Sequence, residues 1–133
     1  MDFFSNYESE LNQAITNLKN QNITHFVLDL RYNSGGSIAT ATRLASMITG
    51  QFNGQLFSKN IWSPKVEPQL DSEDKNNNFT NTLGNGSGLT SLNLNKVYVL
   101  TTRSSASASE LVLNGLKPYI NVVQIGSKTA GKT

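Results

Sequence analysis

The 133-residue chain is long enough for one small domain with its own core and too short for two. Its net charge is +2, from 11 basic and 9 acidic residues, and no two basic residues are adjacent, so nothing indicates a nucleic-acid partner. Cysteine is absent, which excludes disulfides and Cys-ligated metal sites. No apolar run approaches the roughly 20 residues that span a bilayer. Residues 1–20 are too polar for a signal peptide, so we expect any export leader to lie outside this sequence.

The first half of the chain predicts a helix, a strand and a second helix. Residues 6–19 carry apolar side chains at helical spacing, and Ser5 with Glu8 fits a capping box. Residues 25–30 form a short apolar run before a glycine turn, as expected of a strand buried on both faces. A helix is predicted over 37–50. Its expected buried side chains are Ile38, Ala41, Leu44, Ala45 and Ile48.

The second half predicts three more strands and a helix, interrupted by a polar segment. A strand is expected at 55–62. Residues 63–94 contain two prolines and three consecutive asparagines without apolar periodicity, which indicates a long surface insertion. Residues 96–101 predict a strand, 108–117 a helix and 121–125 a last strand.

Strands that alternate with helices predict an α/β fold with a mainly parallel sheet and packed helices. In such folds functional groups collect at the carboxyl ends of the strands. Residues 29–36 follow one predicted strand and residues 104–109 follow another. We therefore expect these two loops to share one edge of the sheet.

Ser107 is the candidate nucleophile in the second loop, although a purely structural role also fits it. Ser107 and Glu110 have the spacing of a capping box, and the cap alone is the commoner role for such a pair. The two roles are compatible, because a serine at a helix start lies beside free amides and the positive end of the helix dipole. Those amides can bind an oxyanion.

A serine nucleophile requires a base, and the chain has one histidine, His25. At about 3.3 Å per residue, the predicted strand places His25 roughly 16 Å from the strand's carboxyl end. A structural role is therefore favoured for His25. A lysine can serve instead when burial lowers its pKa enough to leave a neutral amine. Lys132 is the candidate, and Lys128 is less suitable because it precedes the turn.

Three segments of the chain, at 29–36, 105–110 and 126–132, resemble the three signature blocks of the S41 peptidases. These enzymes are the carboxyl-terminal processing or tail-specific proteases. The blocks occur in the family's order and span most of the chain. In the family the base lies 25 residues after the nucleophile, and Lys132 lies 25 residues after Ser107. The composition, with its asparagine-rich segment, is most similar to cell-envelope members from Bacteroidetes-type bacteria.

The resemblance implies a ClpP/crotonase-like core and peptide hydrolysis by a Ser-Lys pair. Ser107 would be the nucleophile, and Lys132 would act as general base and then as general acid. The amide of Ala108 and an amide of the glycine pair would form the oxyanion hole, with Gly36 favoured over Gly35. A tight turn that needs positive φ is an additional reason for both glycines.

The resemblance further implies which residues hold the loops and what the protein acts on. Asp29, Arg31, Asn33 and Glu110 are expected to support the loops without taking part in the chemistry. No metal or cofactor is expected. The expected partners are polypeptide substrates bound near their carboxyl termini, and the expected location is the periplasm or cell envelope.

Residues 1–133 are interpreted as a single catalytic core from a longer protein, because the family usually adds a PDZ domain for which this sequence has no room. Many bacterial members have an aspartate eleven residues after the serine. Pro118 occupies that position here, so any support from that group is absent.

Two alternative functions remain open from the sequence. Residues 126–133 satisfy the P-loop pattern G-x-x-x-x-G-K-[ST] after a predicted strand, which would indicate a nucleotide-binding protein. The pattern requires a helix immediately after the lysine, and the S41 block already accounts for Thr129, Gly131 and Lys132. The second alternative is a peptide-binding module of the same fold that does not cleave. Reactivity of Ser107 separates that module from an enzyme.

Overall fold

The computed structural model describes residue 3, residues 7–59 and residues 76–131. Within these ranges the chain forms three helices and five strands. The elements in chain order are α1 (Glu8–Asn20), β1 (Val27–Asp29), α2 (Ile38–Thr49), β2 (Leu56–Lys59), β3 (Asn76–Asn78), β4 (Lys96–Thr101), α3 (Ala108–Leu116) and β5 (Asn121–Gly126).

The main sheet has three parallel strands in the order β1-β4-β5. Its register pairs Leu28 of β1 with Val99 of β4, and Val99 with Gln124 of β5. The predicted mainly parallel α/β fold is therefore confirmed. A second, two-stranded sheet pairs β2 with β3 in antiparallel orientation.

The hydrophobic core lies between one face of the main sheet and the helices α2 and α3. Alternate side chains of β4 point to opposite faces, and Val97 and Val99 are fully buried against the helices. The helices contribute a larger buried set from their inward faces. These buried side chains are Ala41, Leu44, Ala45, Met47, Ile48, Ala108, Val112, Leu113 and Leu116.

Helix α2 has the boundaries that its sequence predicts. Ser37 is the N-cap, and its hydroxyl accepts a hydrogen bond from the Thr40 N–H at 3.1 Å. Gly50 ends the helix in the left-handed region at φ 42°, where glycine has no side chain to strain. Of the side chains expected to be buried, Ile38 is the exception, because it is 43% exposed.

Two predictions for the first half of the chain are wrong. Helix α1 has Tyr7, not Ser5, as its N-cap residue, and Ser5 lies outside the described residues. The Glu8 carboxylate instead accepts hydrogen bonds from Thr40, Arg43 and Gly84. Strand β1 is not buried on both faces, since its outer face leaves Val27 55% exposed.

Residues 76–94 of the predicted surface insertion pack partly on the core, and residues 63–75 lie outside the described residues. Asn76–Asn78 forms strand β3, and both Phe79 and Leu83 are buried in the core. The segment that follows is held against α1 and α2, because its backbone N–H groups donate hydrogen bonds to residues of both helices. Thr80 donates to Ser46 Oγ, Gly84 to Glu8 Oε1, Thr90 to Asn12 Oδ1, Leu92 to Met47 O and Leu94 to Ile48 O.

Across the described part of the chain, no helix has the length and apolar character needed to cross a bilayer.

Candidate active site

Two loops meet at the carboxyl edge of the main sheet, one after β1 and one after β4. The Ser105 hydroxyl donates to the Leu30 carbonyl at 2.5 Å, and the Leu30 N–H donates to Leu100 O at 2.9 Å. The Thr102 hydroxyl also donates to the Arg31 carbonyl. The prediction that these loops share one edge is confirmed.

Ser107 lies at the sharp turn between the second loop and helix α3. Its backbone has φ 57° and ψ −117°, a conformation that residues with a side chain rarely adopt. Such strain is concentrated at functional sites, and a serine on a sharp turn before a helix is the geometry of a nucleophile elbow. The side chain is half-buried. Ser107 therefore has the backbone geometry of such an elbow.

Of the glycine pair, Gly35 packs directly against this elbow and Gly36 packs against Phe3. Gly35 has φ 111°, and a Cβ added to it would lie 2.7 Å from Ser107 Cβ and 3.0 Å from Ala108 N. A Cβ on Gly36 would lie 2.1 Å from the Phe3 carbonyl oxygen, because Phe3 pairs with this segment as a short parallel strand. Glycine is required at both positions by close contact as well as by positive φ.

Two backbone amides beside Ser107 have no acceptor within the described part of the chain. The Gly35 N–H is bound, since it donates to Asn33 Oδ1 at 2.9 Å. The Gly36 and Ala108 N–H groups make no hydrogen bond to any described residue. Ala108 is the first residue of α3, where helix amides lack partners within the helix. These are the two amides that the sequence favours for an oxyanion hole.

Glu110 connects the elbow to the loop that follows β5. It is 7% exposed, and its Oε2 accepts from the Ser107 N–H at 3.0 Å, which is its half of the predicted capping box. Its Oε1 accepts from the Thr129 hydroxyl at 2.7 Å and from the Gly131 N–H at 2.5 Å. Lys132, the next residue along the chain, lies outside the described residues.

Asp29 and Arg31 form an ion pair at the start of residues 29–36, the segment after β1 that is called the glycine loop below. Arg31 donates to Asp29 through its side chain, at 2.8 Å and 3.0 Å, and through its backbone N–H. These hydrogen bonds lower the pKa of Asp29 to about 2. Both side chains are about half exposed, so the pair shapes an exposed turn. Neither residue contacts Ser107 through these bonds.

Two buried serines that flank Ser107 were missed in the sequence. Ser105 and Ser109 are fully buried, and each binds the glycine loop, at Leu30 and Asn33 respectively. Ser109 could have been found, because it begins an apolar series of residues i, i+3, i+4 and i+7 on α3. A polar residue on a buried helix face requires a hydrogen-bond partner.

His25 lies away from this site, as its position in the sequence predicts. It is exposed just before β1, with its Nδ1 2.9 Å from the Thr24 hydroxyl and its ring 6.0 Å from the Tyr98 ring. Among the described residues, no three potential metal ligands lie close enough together to hold a metal ion.

Comparison with known proteins identifies the family. The sequence profile of Peptidase family S41 matches residues 1–133. This chain belongs to family S41.

Solved S41 structures share the fold of the chain. A protein assigned to the S41 proteases from Bacteroides fragilis is 35% identical, with a TM-score of 0.86 over 98% of this chain and 34% of its own. The photosystem II D1 C-terminal processing protease is 26% identical, with a TM-score of 0.65 over 98% of this chain and 30% of its own. The chain therefore shares its fold with about a third of each of these structures.

Curated S41 relatives are several times longer than this chain. The "Probable CtpA-like serine protease" of Staphylococcus epidermidis is 33% identical over 98% of the chain and 23% of its own length. The chloroplastic carboxyl-terminal-processing peptidase 2 of Arabidopsis thaliana is 30% identical over 98% of the chain and 22% of its own length. The chain thus spans about a quarter of the relatives it matches.

The S41 chain does not use residues 126–131 as a phosphate-binding loop. The Ser127, Ala130 and Gly131 N–H groups donate to Thr101 O, Ser105 O and Glu110 Oε1, so protein oxygens occupy three of its amides. A P-loop leaves such amides free for phosphate, and the nearby Glu110 carboxylate would repel that anion. The P-loop pattern in the sequence is explained by the third S41 block.

Proposed function

We propose that this chain is the catalytic core of a serine endopeptidase of the carboxyl-terminal processing type, with Ser107 as nucleophile and Lys132 as base. The observation that supports the proposal is the strained elbow at Ser107, with Gly35 packed against it and with the Gly36 and Ala108 amides making no hydrogen bond to any described residue. A residue needs no such strain to act only as a helix cap.

The proposed reaction begins when Ser107 Oγ attacks the carbonyl carbon of the substrate and Lys132 takes the hydroxyl proton. The carbonyl π electrons move to oxygen, and the resulting oxyanion accepts hydrogen bonds from the Gly36 and Ala108 N–H groups. Each preorganised donor of this kind contributes about 3 to 4 kcal/mol to transition-state stabilisation. The C–N bond then breaks, and the lysine ammonium returns its proton to the leaving amine. Water hydrolyses the acyl-enzyme by the same sequence of proton transfers.

Glu110 supports the assignment of Lys132 as the base. One carboxylate oxygen binds the Ser107 N–H and the other binds the Gly131 N–H, so residues 107 and 131 lie on opposite sides of a single side chain. Lys132 is bonded directly to Gly131. The proposed base is therefore the chain neighbour of a residue that the same carboxylate holds, whereas among the described residues His25 has no comparable connection to the elbow.

The name of one relative supports the proposed substrate, and the family resemblance supports the proposed location. Polypeptides bound near their carboxyl termini are the proposed substrates, because one relative is named as a carboxyl-terminal-processing peptidase. We place the enzyme in the periplasm or cell envelope, as the resemblance to Bacteroidetes-type members implies. Relatives four times longer leave room for substrate-binding regions beyond this core.

The test is cleavage of a peptide with an apolar carboxyl terminus by the full polypeptide that carries this sequence. Ser107→Ala and Lys132→Ala are each expected to lower kcat by at least about 1,000-fold with folding intact. Lys128→Ala is the matched control, since Lys128 is an exposed lysine of the same loop and should be dispensable. Full activity of Ser107→Ala would overturn the mechanism. Binding of the peptide by a wild-type protein that never cleaves it would favour the peptide-binding module.

A further inference from the structure

A buried pair of residues, Asn33 and Ser109, joins the glycine loop to helix α3. Asn33 is 3% exposed and Ser109 is fully buried. The Ser109 hydroxyl lies 2.8 Å from both Asn33 O and Asn33 Oδ1. Asn33 Oδ1 also accepts from the Gly35 N–H at 2.9 Å, and Asn33 O accepts from the Ala106 N–H at 3.2 Å. The backbone and side-chain carbonyl groups of Asn33 therefore bind Ala106 and Ser109, which lie on either side of the elbow at Ser107.

These hydrogen bonds decide which glycine amide is available. Because Asn33 Oδ1 occupies the Gly35 N–H, the donor of the pair that no described residue binds is the Gly36 N–H. A hydroxyl has one proton, so Ser109 shares it between the two Asn33 oxygens, both of which lie 2.8 Å away. Ser109 directly follows Ala108, the source of the second amide that makes no hydrogen bond to a described residue. The hydrogen bonds thus connect the loop of one donor to the helical turn of the other.

We propose that Asn33 and Ser109 are positioning residues that hold the Gly36 and Ala108 amides at the spacing required to bind one oxyanion. This inference rests on the proposed function. It assigns Ser109 a role in the reaction that its place on a buried helix face does not require, since an apolar residue would fill that space. Loss of this positioning should raise the free energy of the transition state and leave substrate binding nearly unchanged, because the ground-state substrate carries no oxyanion.

The experiment compares three alanine variants of the full polypeptide. Ser109→Ala removes the shared donor, and Asn33→Ala removes the Oδ1 acceptor from the other side. Ser46→Ala is the matched control, because Ser46 is 1% exposed on α2 and also makes two hydrogen bonds, to Thr42 O at 2.8 Å and from Thr80 N at 3.0 Å. It lies outside the site, so its loss should affect stability alone.

Two measurements separate positioning from folding. The first is kcat and KM for the peptide, normalised to the folded fraction found by thermal unfolding. The second is inhibition by a peptide aldehyde, whose carbonyl carbon bonds to Ser107 Oγ while its π electrons form an oxyanion and the serine proton passes to the base. A Ser109→Cys variant, which restores a weak donor of similar size, tests rescue.

Ser109→Ala and Asn33→Ala are expected to lower kcat by about 10- to 100-fold, with KM changed less than about twofold, since a displaced donor costs less than a deleted one. Aldehyde inhibition should weaken by a similar factor, and Ser109→Cys should recover part of both. Ser46→Ala should match wild type in kcat. Equal kcat in Ser46→Ala and Ser109→Ala, or changes confined to KM, would overturn the positioning role alone. A wild-type protein that neither cleaves the peptide nor binds the aldehyde would overturn the proposed function and this inference together.

Discussion

Replacement of Gly35 by alanine tests whether the glycine loop is packed against the nucleophile. The added methyl group would lie 2.7 Å from Ser107 Cβ, 2.9 Å from Ala106 O and 3.0 Å from Ala108 N. Two of these three atoms belong to the backbone, which cannot rotate away as the end of a long side chain can. The backbone φ of 111° adds strain for any residue with a Cβ.

The expected cost combines two separate effects. Positive φ at a residue with a side chain costs about 1 to 3 kcal/mol, and overpacking costs about 1 to 3 kcal/mol. Gly35→Ala should therefore lower the free energy of unfolding by about 2 to 6 kcal/mol. Molecules that remain folded must move Gly36 away from Ala108, so their kcat should fall by about 100-fold.

Gly54→Ala is the matched control for this substitution. Gly54 also has positive φ, at 84°, but its added methyl group would meet no atom within 4 Å. Strain alone predicts a loss of about 1 to 2 kcal/mol and an unchanged kcat. Chemical denaturation and peptide cleavage, measured on both variants, isolate the steric effect. Equal unfolding free energies and equal kcat values for the two variants would refute the packing described at the elbow.

Two further predictions concern stability. Burial raises the pKa of Glu8, but hydrogen bonds from Thr40, Arg43 and Gly84 outweigh it and hold that pKa below its ordinary value of 4.5. The ionised Glu8 carboxylate therefore stabilises the fold above pH 4.5, and this stabilisation is lost as the pH falls through the lower pKa of the folded state. Glu8→Gln should lower the free energy of unfolding by about 1 to 3 kcal/mol at pH 7 and change it little in acid. Denaturant unfolding at several pH values measures this, and a loss that is independent of pH contradicts it. Gly115→Ala should lower the unfolding free energy by about 1 kcal/mol or more despite better helix propensity, because its methyl group would lie 2.4 Å from the Phe57 ring. A more stable Gly115→Ala variant would show that the ring moves freely.

The main elements follow from the sequence because local patterns and tertiary packing agree there. Strand β4 has the predicted bounds, and its alternation matches the buried Val97 and Val99. Both ends of helix α2 have local sequence signals, the capping hydroxyl of Ser37 and the left-handed Gly50. Each of these signals depends on a residue and its near neighbours, which is the information that a single sequence carries.

The errors occur where distant residues decide the outcome. Glu8 has the spacing of a capping residue, yet its carboxylate is bound by residues 32 to 76 positions away in the chain. Phe79 and Leu83 are isolated apolar residues in a polar stretch, so no period reveals that they are buried. The burial of β1 on one face depends on what else covers the sheet, which its own residues do not encode.

In the candidate site too, features set by local sequence were predicted and contacts between distant residues were not. The position of Ser107 at a helix start and the positive φ of the glycine pair were predicted from the sequence, whereas the strained backbone of Ser107 was not. The order of preference between Gly36 and Gly35 stays a prediction that the occupied Gly35 amide supports. The role of Lys132 stays a prediction too. The Ser109 to Asn33 connection was not predicted, because a hydrogen bond between residues 76 positions apart has no local signature.

The separation in sequence between the halves of the site has a consequence for biosynthesis. The loop after β1 and the loop after β4 are joined by bonds between residues 75 and 76 positions apart, so the chain must close a long loop before they meet. In the proposed enzyme, a chain that has formed α3 but not yet paired β1 with β4 has a serine without its glycine-loop donor. Proteolytic competence should therefore appear only with completed folding, which protects the newly made polypeptide and its neighbours from premature cleavage.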